Sequence, residues 1–344
     1  MIGGEHYFQP PLAVDNSMAE MLEKQLGAVA FFSTGRDALY SLLASLPQTH
    51  ILLPDLICQS VYHACVSAGK EVSYYKIGLG LIPEEGSLST LQVSSCVLVL
   101  HYFGAASESF VLEAKSHGAV VISDVSHSLF NAVRLQYLSG VSHYLFGSLR
   151  KSGPFPDGGF LSSKYHSVVQ PNQPVREDFF SLRTAGLFAR GFAVREGFVN
   201  DDNFALLKKA EELLDHSQPA SYGCSYLSRK LLQTIDVMFH ASMIKRNMAV
   251  LSSKLENVCC TIEDRSALSP YFWCRFQSSD ERDMVRNQLA SHRVYCPVHW
   301  ETNWLVSPSL LSGLSLSIPC DARYDEGMML FISELIISCV QKKQ

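Results

Sequence analysis

The sequence is short of charge. Only 18% of its 344 residues are Asp, Glu, Lys or Arg, against about a quarter in ordinary soluble chains. With 47% apolar residues, that scarcity implies that part of the surface is covered, most simply by a second copy of the chain, and the expectation is a homodimer. Basic residues form no block and the net charge is -5, which argues against nucleic acid and anionic membranes as partners. Long apolar runs are missing too. "CVLVL" and "MMLFISELIISCV" are too short or too broken to span a bilayer. The first residues lack a basic segment followed by an apolar core, so a cytoplasmic chain is expected. Ten cysteines occur without a C-x-x-C pair, and cysteines and histidines do not cluster at ligand spacing. That disfavours a zinc site and reads as reduced, mostly buried thiols. Neither G-x-G-x-x-G nor G-x-x-x-x-G-K-[ST] is present, and no repeat or low-complexity tract is seen.

What is present is an alternation of helical and strand patterns from about residue 17 to 165. "SMAEMLEKQLG" has a serine start and a glycine stop. "RDALYSLLASL" places Leu39, Leu42, Leu43 and Leu46 on one helical face. "AVAFFS", "HILLP", "EVSYYKI", "CVLVLHYF", "AVVISD", "SHYLFGS" and "GGFLSS" read as strands, several of them apolar enough for burial on both faces of a parallel sheet. The sum is an α/β layered fold. Residues 166–202 are harder to assign, and 203–256 read as mostly helical, with one long segment through "KLLQTIDVMFHASMIKRNMAVLSSKLEN". The tail changes character. "YFWCRF", "RVYCPVHW" and "LSLSIP" read as strands beside two helices, giving a small α+β domain over 241–344 after a large domain over 1–240.

Three segments carry chemistry. In "FFSTGRDALYSLL" a strand ends, Ser33-Thr34-Gly35 turns, and a helix begins, so free amides and a positive dipole end favour a phosphate. The same letters also suit an ordinary Ser/Thr cap. In "VVISDVSHSLF", Asp124 ends an apolar strand, where ligands collect in open sheets, and His127 follows within reach. Asp124 could instead cap a following helix. In "FGSLRKSGPFPDGG", Lys151 follows a strand by a few residues, framed by small residues and beside Arg150. Alone it could be a solvated loop lysine; among apolar groups it is a usable amine. Phosphate cup, strand-end aspartate and loop lysine, in that order, fit pyridoxal 5'-phosphate. The cup would hold the phosphate, Asp124 the pyridine nitrogen and Lys151 the aldehyde.

These segments resemble the sugar aminotransferases of the DegT/DnrJ/EryC1/StrS family, within the fold-type I pyridoxal-phosphate class. "STGRDAL" resembles the family's S-G-T-x-A-L turn, which implies that Gly35, Arg36 and Asp37 lie beside the phosphate. "HYFG" resembles H-x-Y-G. "ISDVSHSL" resembles E-D-x-A-H/Q, implying that Asp124 pairs with the pyridine nitrogen and His127 lies beside the cofactor. "SLRKSGPFPDGG" stands for S-F-x-x-x-K and G-E-G-G, with Lys151 as the cofactor lysine. "GCSY" stands for G-x-N-Y, giving Ser225 the phosphate contact across a dimer interface. "YCPVHW" resembles Y-x-P-L-H and puts His299 near the substrate. Three features depart from the pattern. Phe146 stands where the family has a phosphate-binding hydroxyl, with Ser148 as its substitute; Ser225 replaces Asn; and "DLICQSV" leaves ring stacking to Cys58 or His101.

The resemblance implies a three-layer large domain around a mostly parallel sheet and a homodimer with shared sites. It also implies transfer of an amino group from a donor such as glutamate to a keto sugar, typically nucleotide-linked. Arg183, Arg190 and Arg323 are candidates for the donor carboxylate. Three alternatives stay open: a pyridoxal-phosphate lyase or dehydratase, a non-catalytic relative that binds and regulates, and a hydrolase using Asp124, His127 and Ser148, disfavoured by the absence of a G-x-S-x-G elbow.

Overall fold

The structure, a computed structural model, describes residues 2–8, 14–89, 91–92, 94–105, 107–197, 201–262, 264 and 266–341. Its elements run β1 (Ile2–Gly3), α1 (Met18–Gln25), β2 (Ala28–Phe32), α2 (Gly35–Ser45), β3 (His50–Pro54), α3 (Gln59–Ser67), β4 (Glu71–Tyr75) and β5 (Cys96–Leu100). There follow α4 (Glu108–Ser116), β6 (Val120–Asp124), α5 (Ala132–Val141), β7 (Tyr144–Ser148), β8 (Gly159–Ser163), α6 (Glu177–Glu196), α7 (Asp201–His216), α8 (Tyr226–Leu231) and α9 (Val237–Leu255). The chain ends with β9 (Cys260–Thr261), β10 (Tyr271–Arg275), α10 (Ser279–Ser291), β11 (Val294–Tyr295), β12 (Ser315–Pro319) and α11 (Glu326–Gln341).

Seven strands form one sheet in the order β2-β8-β7-β6-β5-β3-β4. β3, β4, β5, β6 and β7 are parallel, and β8 pairs antiparallel with both β7 and β2. The sheet is buried on both faces. Ala38, Leu39, Leu42 and Leu43 of α2 join Val61 of α3 and Val111 of α4 on one face. Met18 and Leu22 of α1 join Leu135 of α5 and Ile244 of α9 on the other. Each fully buried leucine contributes about 1.5–3 kcal/mol. The period-2 pleat is visible in β7, where Leu145 faces the second cluster and Tyr144 and Phe146 the first.

A second sheet, β12-β10-β9, packs with α9, α10 and α11 around Phe272, Leu316, Ile318, Val285 and Ile332. Helix α9 runs through residue 240, and β1 at the N-terminus pairs with β11, not with the large sheet. Two expected elements differ. The long helix expected through residues 230–257 is broken before Val237, where Asp236 caps α9 by accepting the Phe239 amide at 2.9 Å. The strand expected over "RVYCPVHW" is only Val294–Tyr295. Pro297, without an N–H, ends the pairing and gives its carbonyl to the Ser317 amide at 3.0 Å. All ten cysteines are unpaired, eight of them buried. No helix among the described residues is long and apolar enough to cross a membrane.

Candidate active site

The carboxyl ends of β2, β3, β5, β6 and β7 meet at one edge of the large sheet, and a cavity of about 750 Å³ opens there. Asp124 ends β6, Ser148 ends β7, and Lys151 closes the short 3-10 turn that follows. Adjacent parallel strands thus bring the aspartate and the lysine to one wall, as their spacing predicts. Gly35, Arg36, Cys58, His299 and Trp300 line the same cavity.

Asp124 is buried, and its Oδ1 accepts the Ser126 amide at 2.9 Å. Burial pushes its carboxyl up; Lys151 and Ser126 pull it back part of the way. His127 is fully buried 3.3 Å from the Lys151 ammonium, Nε2 to Nζ. Burial, then Lys151 and His299, hold its imidazole well below the ordinary range. A neutral ring facing an ammonium through Nε2 carries its proton on Nδ1, and Nδ1 is buried without a hydrogen-bond partner. His127 stacks on Phe103 at 4.7 Å and on Trp300 at 5.4 Å, with interplanar angles of 19° and 12°. The Lys151 Nζ lies 5.6 Å from the Trp300 ring centre. His299 touches the same cluster, and its Nδ1 is 2.8 Å from the Ser317 hydroxyl.

The turn before α2 is built by close backbone approach. A Cβ on Gly159 would lie 2.3 Å from the Thr34 carbonyl carbon and oxygen and 2.4 Å from the Gly35 nitrogen. Only glycine lets β8 pass this turn. Gly35 in turn sits against Ser148, whose Cβ would be 3.4 Å from a Cβ built there. The Gly35 and Arg36 amides precede the first intrahelical bond of α2, that of the Ala38 amide to the Thr34 carbonyl.

Asp37 and His127, both expected beside the cofactor, do not line this cavity. Asp37 points into the protein, where it accepts Arg176 at 3.0 Å, the Ala220 amide at 3.2 Å and the Thr34 hydroxyl at 2.8 Å. Ser225, expected to reach a phosphate across a dimer interface, is buried at the start of α8 in this chain. Its hydroxyl donates to Asp157 at 2.6 Å and its amide to the same carboxylate at 2.8 Å. Arg36 lines the cavity, but its guanidinium donates to the Leu214 carbonyl at 2.6 Å and to Asp215 at 2.9 Å. His101 is fully buried with both ring nitrogens engaged, by Ser123 at 3.0 Å and Ser107 at 2.9 Å. Trp300, His299 and Cys58 line the cavity, and His127, expected beside the cofactor, is stacked behind Trp300 and lines neither this cavity nor its neighbour.

A second cavity of about 770 Å³ shares Ser148, Arg150, Lys151 and Glu211 with the first. Arg183, Arg190 and Arg286 line it. Arg183 is held by a two-pronged pair with Glu5 at 2.8 and 3.0 Å. Burial pushes Glu5 up, but Arg183 outweighs it and holds the carboxyl at about 2. Arg323 lines neither cavity and is clamped to Asp321 at 2.7 and 2.8 Å. Among the described residues no group of three or more His, Cys, Asp and Glu side chains is placed to hold a metal.

The fold is α/β, with a mostly parallel central sheet and a small C-terminal layer. No family model matches the sequence, and no curated protein matches it. Solved structures do. Helicobacter pylori PseC, an aminotransferase involved in the biosynthesis of pseudoaminic acid, superposes with a TM-score of 0.64 at 11% identity, over 98% of this chain and 100% of that one. The putative sugar aminotransferase Spr1654 of Streptococcus pneumoniae, in its pyridoxal-phosphate form, gives 0.64 at 12% identity over 99% and 93%. Sphingomonas wittichii serine palmitoyltransferase gives 0.59 at 14% identity over 94% and 75%.

Proposed function

We propose that the chain is a pyridoxal-phosphate-dependent aminotransferase that moves an amino group from an amino acid, glutamate in the simplest case, to a keto sugar, nucleotide-linked. One observation carries the reading: Asp124, at the end of β6, and Lys151, just past the end of the adjacent parallel strand β7, share a cavity with the amino terminus of α2. The residues fit the cofactor. Gly159 lets β8 pack against the Thr34–Gly35 turn, and Gly35 brings that turn up to Ser148 at the cavity. The Gly35 and Arg36 amides with Ser148 would hold the phosphate, and Asp124 would face the ring nitrogen.

When bound, pyridoxal 5'-phosphate supplies a carbonyl that takes up an amino group and a ring that withdraws electrons from the attached carbon. Lys151 would hold the cofactor, and its Nζ would be the group that moves a proton at the reacting carbon. His127 Nε2, neutral and 3.3 Å from Nζ, steadies the amine without adding a second positive charge. Trp300, backed by the buried His127, would give the cavity an aromatic surface beside the lysine. Asp124, tied to the Ser126 amide, is positioned to keep a facing nitrogen protonated. The second cavity, opening on the same lysine, is where substrate would approach. We also place the chain in the cytoplasm as a homodimer. Exposed Phe188, Phe192, Phe204 and Met238 are a reason to expect a covered face.

The test is the absorption spectrum of the protein with added pyridoxal 5'-phosphate. The reading expects a visible band that vanishes in Lys151→Ala and converts to the amine form with glutamate. No band at saturating cofactor sinks it, and a band that glutamate leaves unchanged favours a regulatory binder.

A further inference from the structure

Helix α7 forms a wall of the cofactor cavity through Glu211, Leu214 and Asp215. Glu211 and Asp215 are four residues apart and so share one helix face. Each is paired with an arginine that lines the same cavity as Lys151. Asp215 and the Leu214 carbonyl hold Arg36, at the start of α2, at 2.9 and 2.6 Å. Glu211 holds Arg150, the residue before the lysine, and approaches Arg183 at 3.3 Å. The carboxylates themselves are open to solvent, 68% exposed for Asp215 and 40% for Glu211, whereas the Arg36 side chain is 12% exposed. Because the carboxylate side of each pair is open to water, these pairs are weaker than buried ones, and a better anion can replace the carboxylate. A phosphate at the α2 amino terminus is such an anion, with more charge and the helix amides to bind it.

We propose that Glu211 and Asp215 are internal competitors for the site's arginines, so that a phosphate-bearing ligand and the end of α7 exclude one another at Arg36 and Arg150. The inference rests on the proposed phosphate site, but it concerns a contact that inorganic phosphate alone can test. Binding of phosphate frees α7 from its two arginines, and removing the carboxylates makes the arginines available before any ligand arrives.

The experiment follows amide hydrogen exchange across residues 204–216 with inorganic phosphate added at constant ionic strength, chloride being the control. Phosphate raises exchange in this segment by about threefold to tenfold, the span expected for losing one or two exposed pairs. Asp215→Asn and the double variant Glu211→Gln/Asp215→Asn show the raised exchange without phosphate, while Lys209→Gln, at an exposed position of the same helix, does not. In a titration followed by fluorescence, Asp215→Asn binds pyridoxal 5'-phosphate about threefold to tenfold tighter and binds pyridoxal, which lacks the phosphate, as the wild type does. Phosphate that protects α7 or leaves it unchanged overturns the proposal, as does weaker binding of the phosphorylated form by Asp215→Asn. If Lys151 proves not to hold the cofactor, the inorganic-phosphate arm still decides the competition by itself.

Discussion

Replacing Gly159 by alanine puts a methyl carbon 2.3 Å from the Thr34 carbonyl carbon and oxygen, where about 3.5 Å is the closest comfortable approach. Both partners are backbone, and Gly159 is itself fixed in register between Phe32 and Ser148, so no side chain can swing aside. The turn must move by about an ångström or β8 must lift from the sheet. Overpacking of this kind costs about 1–3 kcal/mol, and backbone contact on two sides puts it near the upper figure. The moved atoms are those proposed to hold phosphate. Losing one charge-assisted hydrogen bond there, about 1.5–3 kcal/mol, weakens pyridoxal 5'-phosphate by about tenfold to a hundredfold. The assay is paired urea unfolding and cofactor titration of Gly159→Ala against Gly140→Ala. Gly140 lies in α5 with nothing within 4 Å of the place an added methyl would take, so alanine there is neutral or stabilising by up to about 1 kcal/mol. If the two variants unfold and bind alike, the close packing of β8 on the phosphate turn is refuted.

Asp157 ties the loop after Lys151 to the start of α8 by accepting the Ser225 hydroxyl and amide and the Ser228 hydroxyl. Asp157→Asn leaves one buried donor facing another and lowers stability by about 1–3 kcal/mol in urea unfolding, with Ser225→Ala less severe. Stability also falls on acidification. Burial lowers His101 from 6.5 to about 3, so the native ring stays neutral while the unfolded one protonates. Its contribution is complete above pH 6.5 and is lost, at about 1.4 kcal/mol per pH unit, as pH falls from 6.5 toward 3. His101→Asn flattens that slope, and a wild type equally stable at pH 7 and pH 5 contradicts the argument. We rest it on His101 because His299, also lowered, is only part-buried and faces the cavity, where solvent screens it.

The large sheet was legible because its strands are apolar on both faces and its helices carry clear starts. Thr34 caps α2 as the letters suggest, accepting the Asp37 amide at 3.0 Å. Asp124, Ser148 and Lys151 were legible for the same reason, since each sits at or just past a strand end. The partners of Asp37, Arg36 and Ser225 were not, because they are Arg176, Asp215 and Asp157, between 68 and 179 positions away. A motif places a residue beside a turn but does not say which way its side chain points. Helix α6 resisted reading for a different reason. It buries Arg183 and Arg190 and exposes Phe188 and Phe192, so its apolar pattern marks the wrong face. Phe103 and Trp300 lie inside recognisable segments, but only the fold shows that they, and not His101, stack on His127.

The central claim is that Lys151 holds pyridoxal 5'-phosphate through its side-chain nitrogen. Borohydride reduction of the protein with bound cofactor, followed by peptide mapping, tests it directly. The account predicts a pyridoxyl group on the peptide containing Lys151 and on no other. A label on a different lysine, or none at all, contradicts it.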